Sequence, residues 1–186
     1  MRTSAIGVRL PPGTATRRAL MLVAIANAGI AQALYLSLLV ILPALARDLS
    51  SGGHKAVVLA IVAGTGAAVA MIAGVAAGGV SDWRRHLAGS RRPVHLAGAF
   101  TAAIFLTILP TARSAPVLVL IWCGAQVGLN CVLMVITTAL LDWFSAADRG
   151  RASACAAAGQ VCGALIASAA AFTIGGQVAV VSTLAG

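Results

Sequence analysis

Residues 78–93 form a charged segment between two long apolar runs, and they read GGVSDWRRHLAGSRRP. The segment holds one Asp, four Arg and one His, whereas residues 57–81 before its Asp carry no charge. A short basic segment between apolar runs is typical of a cytoplasmic hairpin between two membrane-spanning helices. This segment therefore predicts a membrane protein and the side of the membrane on which the hairpin lies.

The composition is wrong for a soluble domain. Of the 186 residues, 60% are hydrophobic and only 9% are charged, and the mean hydropathy is +0.99. A soluble domain carries about 25% charged residues on its surface, so this chain in water would expose large apolar areas. The apolar runs are long enough for helices rather than barrel strands. We therefore predict an all-α transmembrane helical bundle.

The chain divides into a polar cytoplasmic tail, residues 1–18, and a membrane domain, residues 19–186. The first apolar run, residues 19–46, is longer than the roughly 7–15 residues of a signal-peptide core, which argues against cleavage. Gly175 and Gly176 are expected to break the last helix, after which residues 177–186 begin a partial sixth span. The five complete spans are predicted at residues 19–46, 56–79, 94–109, 115–141 and 152–173.

The distribution of Lys and Arg predicts a cytoplasmic N-terminus. Ten of the thirteen basic residues lie in residues 1–18, 80–93 and 142–151, which alternate with the segments that hold the other three. Basic residues are enriched in cytoplasmic loops. Arg in place of Lys and abundant Ala favour a bacterial source, so we expect a multi-pass protein of the bacterial inner (plasma) membrane.

Several function classes are disfavoured. The net charge of +9 does not indicate nucleic-acid binding, because the basic residues lie in loops and build no groove or aromatic platform. The four cysteines lie inside predicted spans, where they are expected to be buried free thiols. No metal cluster, pair of intramembrane acids or nucleophile–base pair is visible. We therefore predict no enzyme, no catalytic residue, no metal and no cofactor.

The charged segment resembles the signature loop of the major facilitator superfamily of transporters, Gly-x-Leu-Ala/Ser-Asp-Arg-x-Gly-Arg-Arg. Its spacing is similar to the variant of the glycoside–pentoside–hexuronide and sucrose-type symporters. Trp83 stands where the family has Arg, and Arg84 comes one place later. Gly78 and Gly89 permit tight turns and close packing. The matched and candidate gating residues are Gly78, Ser81, Asp82, Arg84, Gly89, Arg91, Arg92 and Pro93.

A second segment, residues 141–153, reads LDWFSAADRGRAS. It resembles the superfamily segment Asp-x-x-Pro-x-x-x-Arg-Gly-x-Ala-x-Gly, although the Pro is missing. The resemblance makes Asp142 the partner of Arg91 or Arg92 and adds Arg149 to the gating residues, because such contacts can bias a transporter between two states. The other interpretation is an ordinary basic loop with a helix cap at Asp148.

Polar residues inside the spans are candidates for a solute cavity. Gln126, Asn130 and Thr137 share one face of span four at 100° per residue. Asn27, Gln32 and Tyr35 form a looser face on span one. The resemblance implies that spans one and four line the cavity, whereas the alternative is hydrogen bonding between helices. Ridges of small residues on spans two and five predict close helix packing, which the resemblance directs toward a second half of the transporter.

The resemblance implies secondary active transport of a small solute, weakly favouring a sugar-like one, by part of a transporter. The other partners expected are the lipid bilayer and either a second six-helix half or another copy of the chain. We interpret the chain as an N-terminal half fragment from a truncated or split gene. The alternative is a membrane protein that does not transport, either a truncated remnant or an interaction subunit.

Overall fold

The computed structural model is a bundle of α-helices. It describes residues 14–50 and 54–184, and the side chains of residues 17–50, 54–87 and 89–174. A π-helical segment, Ser37–Ile41, joins the first two helices, and a 3-10 turn, Leu109–Thr111, follows the fourth. No strand occurs in the described ranges. The helices are α1 (Thr14–Leu36), α2 (Leu42–Asp48), α3 (Lys55–Ala88), α4 (Arg92–Ile108), α5 (Ala115–Trp143) and α6 (Arg149–Leu184).

Five helical segments are long and apolar enough to cross a membrane. At 1.5 Å per residue, about 20 residues cross the hydrocarbon core, and the shortest of the five has 20 residues. The prediction of an all-helical, multi-pass membrane protein is confirmed at this level. The five segments are Arg17–Asp48, Lys55–Leu87, Arg92–Thr111, Ala115–Trp143 and Arg149–Ile174.

The predicted loop at residues 80–93 is wrong for most of its length, because α3 continues to Ala88. Residues 80–88 contain no Gly or Pro. Arg85 and His86 lie in the last turn, where a positive charge interacts favourably with the negative end of the helix dipole. The helix ends at Gly89, whose φ of 64° is left-handed, a conformation that glycine adopts without steric cost. Only Gly89, Ser90 and Arg91 separate α3 from α4.

Two predicted boundaries near the ends of the chain also change. The tail predicted at residues 1–18 is helical from Thr14, and residues 1–13 lie outside the described range. The expected break at Gly175 and Gly176 is absent, because α6 runs from Arg149 to Leu184. A glycine in a helix costs only about 1 kcal/mol relative to Ala, so the pair does not by itself end the helix. Residues 177–184 therefore continue α6, and residues 185–186 are not described.

The helices pack in two groups. α5 lies between α3 and α4. Half of the residues in its most apolar stretch are buried, whereas only 11–22% are buried in the corresponding stretches of the other spans. α1 and α6 form the second group. At one end of the bundle, Leu20 and Val23 of α1 join the groups by packing with Leu140, Phe144 and Ala152.

Span one contacts both groups because it changes helix type midway. α1 packs on α6, whereas Leu42 of α2 is fully buried in a cluster with Val62 and Trp122. Between α1 and α2 the Leu42 N–H donates to the Ser37 carbonyl, a bond one residue longer than in an α-helix. Pro43 follows, and it has no N–H with which to continue the α-helical bonds.

The ridges of small residues pack against other helices of this chain. An added Cβ on Gly159 or Gly163 of α6 would collide with the Ala24 or Ala28 backbone of α1. On α3, Gly66 accommodates the Trp122 ring of α5. Glycine at these positions removes the side chain that would hold the helices apart, so both ridges are used for packing.

Candidate functional site

The ends of three helices meet at Arg91, which lies in the turn between α3 and α4. Its Nη1 lies 2.6 Å from Oδ1 of Asp82 and donates to the Ser81 hydroxyl at 2.9 Å. Its Nε donates to Oδ2 of Asp142, at the end of α5, at 3.0 Å. The Arg91 side chain is only 11% exposed. Arg91 thus uses the several donors of one guanidinium to join α3 to α5.

Asp142 also accepts from a residue that the sequence analysis missed. Nη1 of Arg85 lies 2.6 Å from Oδ1 of Asp142, so each carboxylate oxygen has its own arginine. Arg85 is three residues after Asp82 on α3, and residues three apart share a helix face. That spacing would have indicated Arg85 if residues 80–88 had been predicted as helix. The contact between Asp142 and Arg91, one of the two predicted pairs, is present.

The two carboxylates stabilise the positive charge of Arg91. Partial burial acts to lower the pKa of Arg91, but hydrogen bonds from its guanidinium to Asp82 and Asp142 outweigh burial and raise the pKa above its ordinary value. An arginine is already charged at every physiological pH. The contact between α3, α4 and α5 is therefore held by a permanent cation whose two partners lie on different helices.

The other predicted gating residues surround this cluster. Arg149 donates to the Leu141 carbonyl at 2.9 Å, in the last turn of α5. Arg84 and Arg92 are exposed and form no ion pair with any side chain that the structure describes. A Cβ on Gly78 would lie 4.0 Å from Met134, which is ordinary contact. Gly89 is needed for the left-handed turn.

We call this end of the bundle the arginine-rich end. It holds the start of α1, the end of α3, the start of α4, the end of α5 and the start of α6, as the contacts of Arg91 and of Leu20 with Leu140 require. Its residues include eight arginines and three aspartates. The residues are Arg17, Arg18, Arg84, Arg85, Arg91, Arg92, Arg149, Arg151, Asp82, Asp142 and Asp148.

The polar candidates of span one separate into two environments. Asn27 is 1% exposed, and its Oδ1 accepts from Nε2 of Gln160 on α6 at 3.1 Å. This is a hydrogen bond between helices, the alternative that the sequence left open. Gln32 and Tyr35 are exposed. Gln160 was missed because it stands among small residues with no polar periodicity around it.

The candidates of span four lie along one side of α5. Asn130 is half-buried and donates from Nδ2 to Oε1 of Gln126 at 3.1 Å. Gln126 is buried, and Thr137 is exposed and donates to the Leu133 carbonyl. No hydrogen bond among the described side chains joins this set to the candidates of span one. The structure therefore brings Gln126 and Asn130 together, whereas Thr137 and the candidates of span one form no hydrogen bond with them.

No group suited to metal binding was found in the described parts of the chain: no three His, Cys or acidic side chains lie close enough to hold an ion. Comparisons with protein-family models, with curated proteins and with solved structures found no match. The functional interpretation therefore depends on the motifs of this sequence and on the geometry of its side chains.

Proposed function

We propose that this chain is a helical bundle of a secondary transporter of the major facilitator type, in a bacterial plasma membrane with the arginine-rich end cytoplasmic. The observation that carries the proposal is the double contact of Arg91. Asp82 and Asp142 belong to the two separate motifs that resemble the superfamily, and one guanidinium binds both of them. A resemblance by chance would not require the matched residues of two distant segments to meet.

The same contacts suit a gate. Asp82 is 58% exposed, whereas Asp142 is 20% exposed, so the Arg91–Asp82 contact is the more open to water. Exposed ion pairs contribute only about 0–1 kcal/mol. A link of this strength can break and re-form as helices move. The deeper pair between Arg91 and Asp142 keeps the turn before α4 on α5 during such a change, and Arg85 holds the end of α3 to the same carboxylate.

The solute site in this proposal is the polar side of α5. Asn130 supplies an amide near the middle of α5, and Thr137 supplies a hydroxyl two turns closer to the arginine-rich end. Hydroxyl-bearing solutes, sugars among them, match amide and hydroxyl groups because both partners donate and accept. A second helical bundle, on the same or another polypeptide, would supply the opposite wall of the cavity.

The test is a thermal-stability screen of the purified protein in lipid nanodiscs against sugars, polyols, amino acids and organic acids. A solute at about a hundredfold excess over its Kd stabilises the folded protein by about 2.7 kcal/mol, which raises Tm by several degrees. We expect one solute class to raise Tm and Asn130→Ala to reduce the rise. The matched control is Thr101→Ala on α4, whose hydroxyl also bonds to its own helix.

Transport itself is tested with vesicles that contain the protein and the solute found in the screen. We expect Arg91→Gln to lower the uptake rate at least tenfold, with Arg113→Gln at the opposite end as the control. Uptake no faster than in empty vesicles, together with no Tm rise for any solute, would reject the proposed function.

A further inference from the structure

Two exposed tryptophans mark the level of the arginine-rich end relative to a membrane. Trp83 is 60% exposed and Trp143 is 57% exposed, and each directly follows an aspartate that Arg91 binds. The third tryptophan, Trp122, is fully buried. Exposed Trp on membrane proteins concentrates where hydrocarbon meets headgroups. The ion-pair cluster therefore lies at headgroup level.

This level carries more positive charge than its own carboxylates neutralise. Arg85 and Arg91 are paired with Asp142 and Asp82, and Arg151 lies 3.8 Å from Asp148. Arg84 and Arg92, at the end of α3 and the start of α4, are exposed and form no ion pair with a described side chain. Arg17, Arg18 and Arg149 at this end are likewise exposed and form no ion pair with a described side chain. Exposed guanidinium groups at headgroup level can bind an anion of the membrane itself.

An apolar strip lies beside Arg84 on α3. Val80 and Leu87 are 48% and 67% exposed and lie three residues before and four residues after Trp83, so all three share one face of α3. A soluble anion would gain nothing from such a strip. A phospholipid would place its acyl chain there and its phosphate at the guanidinium groups, which bind phosphate through paired donors.

We propose that Arg84 and Arg92, with Trp83 beside them, form a binding site for the headgroup of an anionic phospholipid. The two arginines bind the phosphate, and the strip of Val80, Trp83 and Leu87 contacts the upper acyl chain. Lipid binding of this kind requires the helices to cross a membrane, but it is independent of solute transport. Failure of the transport experiments would leave it standing.

The test uses tryptophan fluorescence as the reporter. The protein is reconstituted into vesicles in which phosphatidylcholine is replaced stepwise by brominated phosphatidylglycerol or by brominated phosphatidylcholine, whose bromines quench nearby tryptophans. Trp83→Phe and Trp143→Phe assign the quenched fraction, and buried Trp122 supplies the part that is not quenched. We expect stronger quenching by the anionic lipid, with the larger share at Trp83.

The arginines are tested by substitution. An arginine near an anionic surface contributes about a fivefold preference for anionic over neutral lipid. Arg84→Gln and Arg92→Gln should each reduce the preference by about that factor, and the double variant should reduce it by about the product of the two. Arg84→Lys with Arg92→Lys keeps the charge and should keep most of the preference. Arg47→Gln with Arg113→Gln, at the opposite end, should leave it unchanged.

Three results would overturn the inference. The first is a wild-type preference of one, and the second is a preference that the double Gln variant does not reduce although its circular dichroism and Tm match the wild type. The third is a rise in Tm with inorganic phosphate but not with phosphatidylglycerol, which would assign the arginines to a soluble anion. A double Gln variant that fails to fold is replaced by the two single Gln variants, each of which should lower the preference about fivefold, and an unchanged preference in both rejects the site.

Discussion

The α1–α6 contact and the α3–α5 contact both depend on glycine, but they use it differently. Gly159 and Gly163 of α6 bring two backbones together, since an added Cβ on either would meet backbone atoms of Ala24 or Ala28. Gly66 of α3 instead leaves room for a side chain, the ring of Trp122. The first contact is between backbone atoms, whereas the second is between a glycine and a buried side chain.

The polar content of the two contacts also differs. α1 and α6 share the hydrogen bond between Asn27 and Gln160, which specifies their register. Nε1 of Trp122, at the α3–α5 contact, is buried with no hydrogen-bond partner among the described atoms. A ridge of small residues can thus bring two helix backbones into contact or leave room for a large aromatic ring. Added methyl groups should destabilise these two kinds of contact by different amounts.

The largest effect is expected for Gly159→Ala combined with Gly163→Ala. The new methyl groups meet backbone that can yield only if α1 and α6 separate, and overpacking costs about 1–3 kcal/mol for each substitution. The measurement is the free energy of unfolding in detergent. Gly150→Ala, on the same helix with open space around it, is the control. A loss no greater than that of the control would show that α1 and α6 do not touch through backbone.

A smaller loss is expected for Gly66→Ala, about 1–2 kcal/mol, because the added methyl group meets one side chain rather than the backbone of another helix. Trp122→Leu removes the ring and costs stability of its own. If the ring is what Gly66 accommodates, the double variant is more stable than the sum of the single losses predicts. Strict additivity of the two losses would contradict the contact.

The amide pair should contribute less again. Hydrogen bonds between membrane helices are worth about 0.6–1.7 kcal/mol, so Asn27→Ala and Gln160→Ala are each expected to cost about that much. In a double-mutant cycle the second substitution should cost much less once the first is made. Gln32→Ala, at an exposed position of the same helix, is the control. If the two substitutions have independent effects on the free energy of unfolding, the hydrogen bond between Asn27 and Gln160 is contradicted.

The smallest effects are expected at glycines of α3 that have room. A Cβ on Gly74 would lie 3.7 Å from Met134, and one on Gly64 would meet nothing within 4 Å. Gly64→Ala should stabilise the helix by about 0.4–1 kcal/mol, because alanine restricts the unfolded chain. Gly74→Ala should change the free energy of unfolding by less than Gly66→Ala or the pair Gly159→Ala and Gly163→Ala. Destabilisation by Gly64→Ala would indicate a neighbour that packs on this face.

Part of the candidate site was predictable from residue order. Asp142 was predicted to pair with Arg91 or Arg92, and it pairs with Arg91. Arg85 was not predicted, because a loop was expected where the helix continues. Hydropathy shows where a chain enters and leaves hydrocarbon, but a helix extends beyond the membrane until its backbone is stopped. Here the stop is Gly89.

The membrane class, the five apolar spans and the gathering of arginines at alternate connections could be derived from the chain alone, because each depends on local composition and length. Packing required the structure. That α1 pairs with α6, that α5 lies between α3 and α4, and that Asn27 finds Gln160 depend on how surfaces of distant segments fit. Lipid and protein interiors are equally apolar, so hydropathy does not distinguish a face that meets lipid from one that meets another helix.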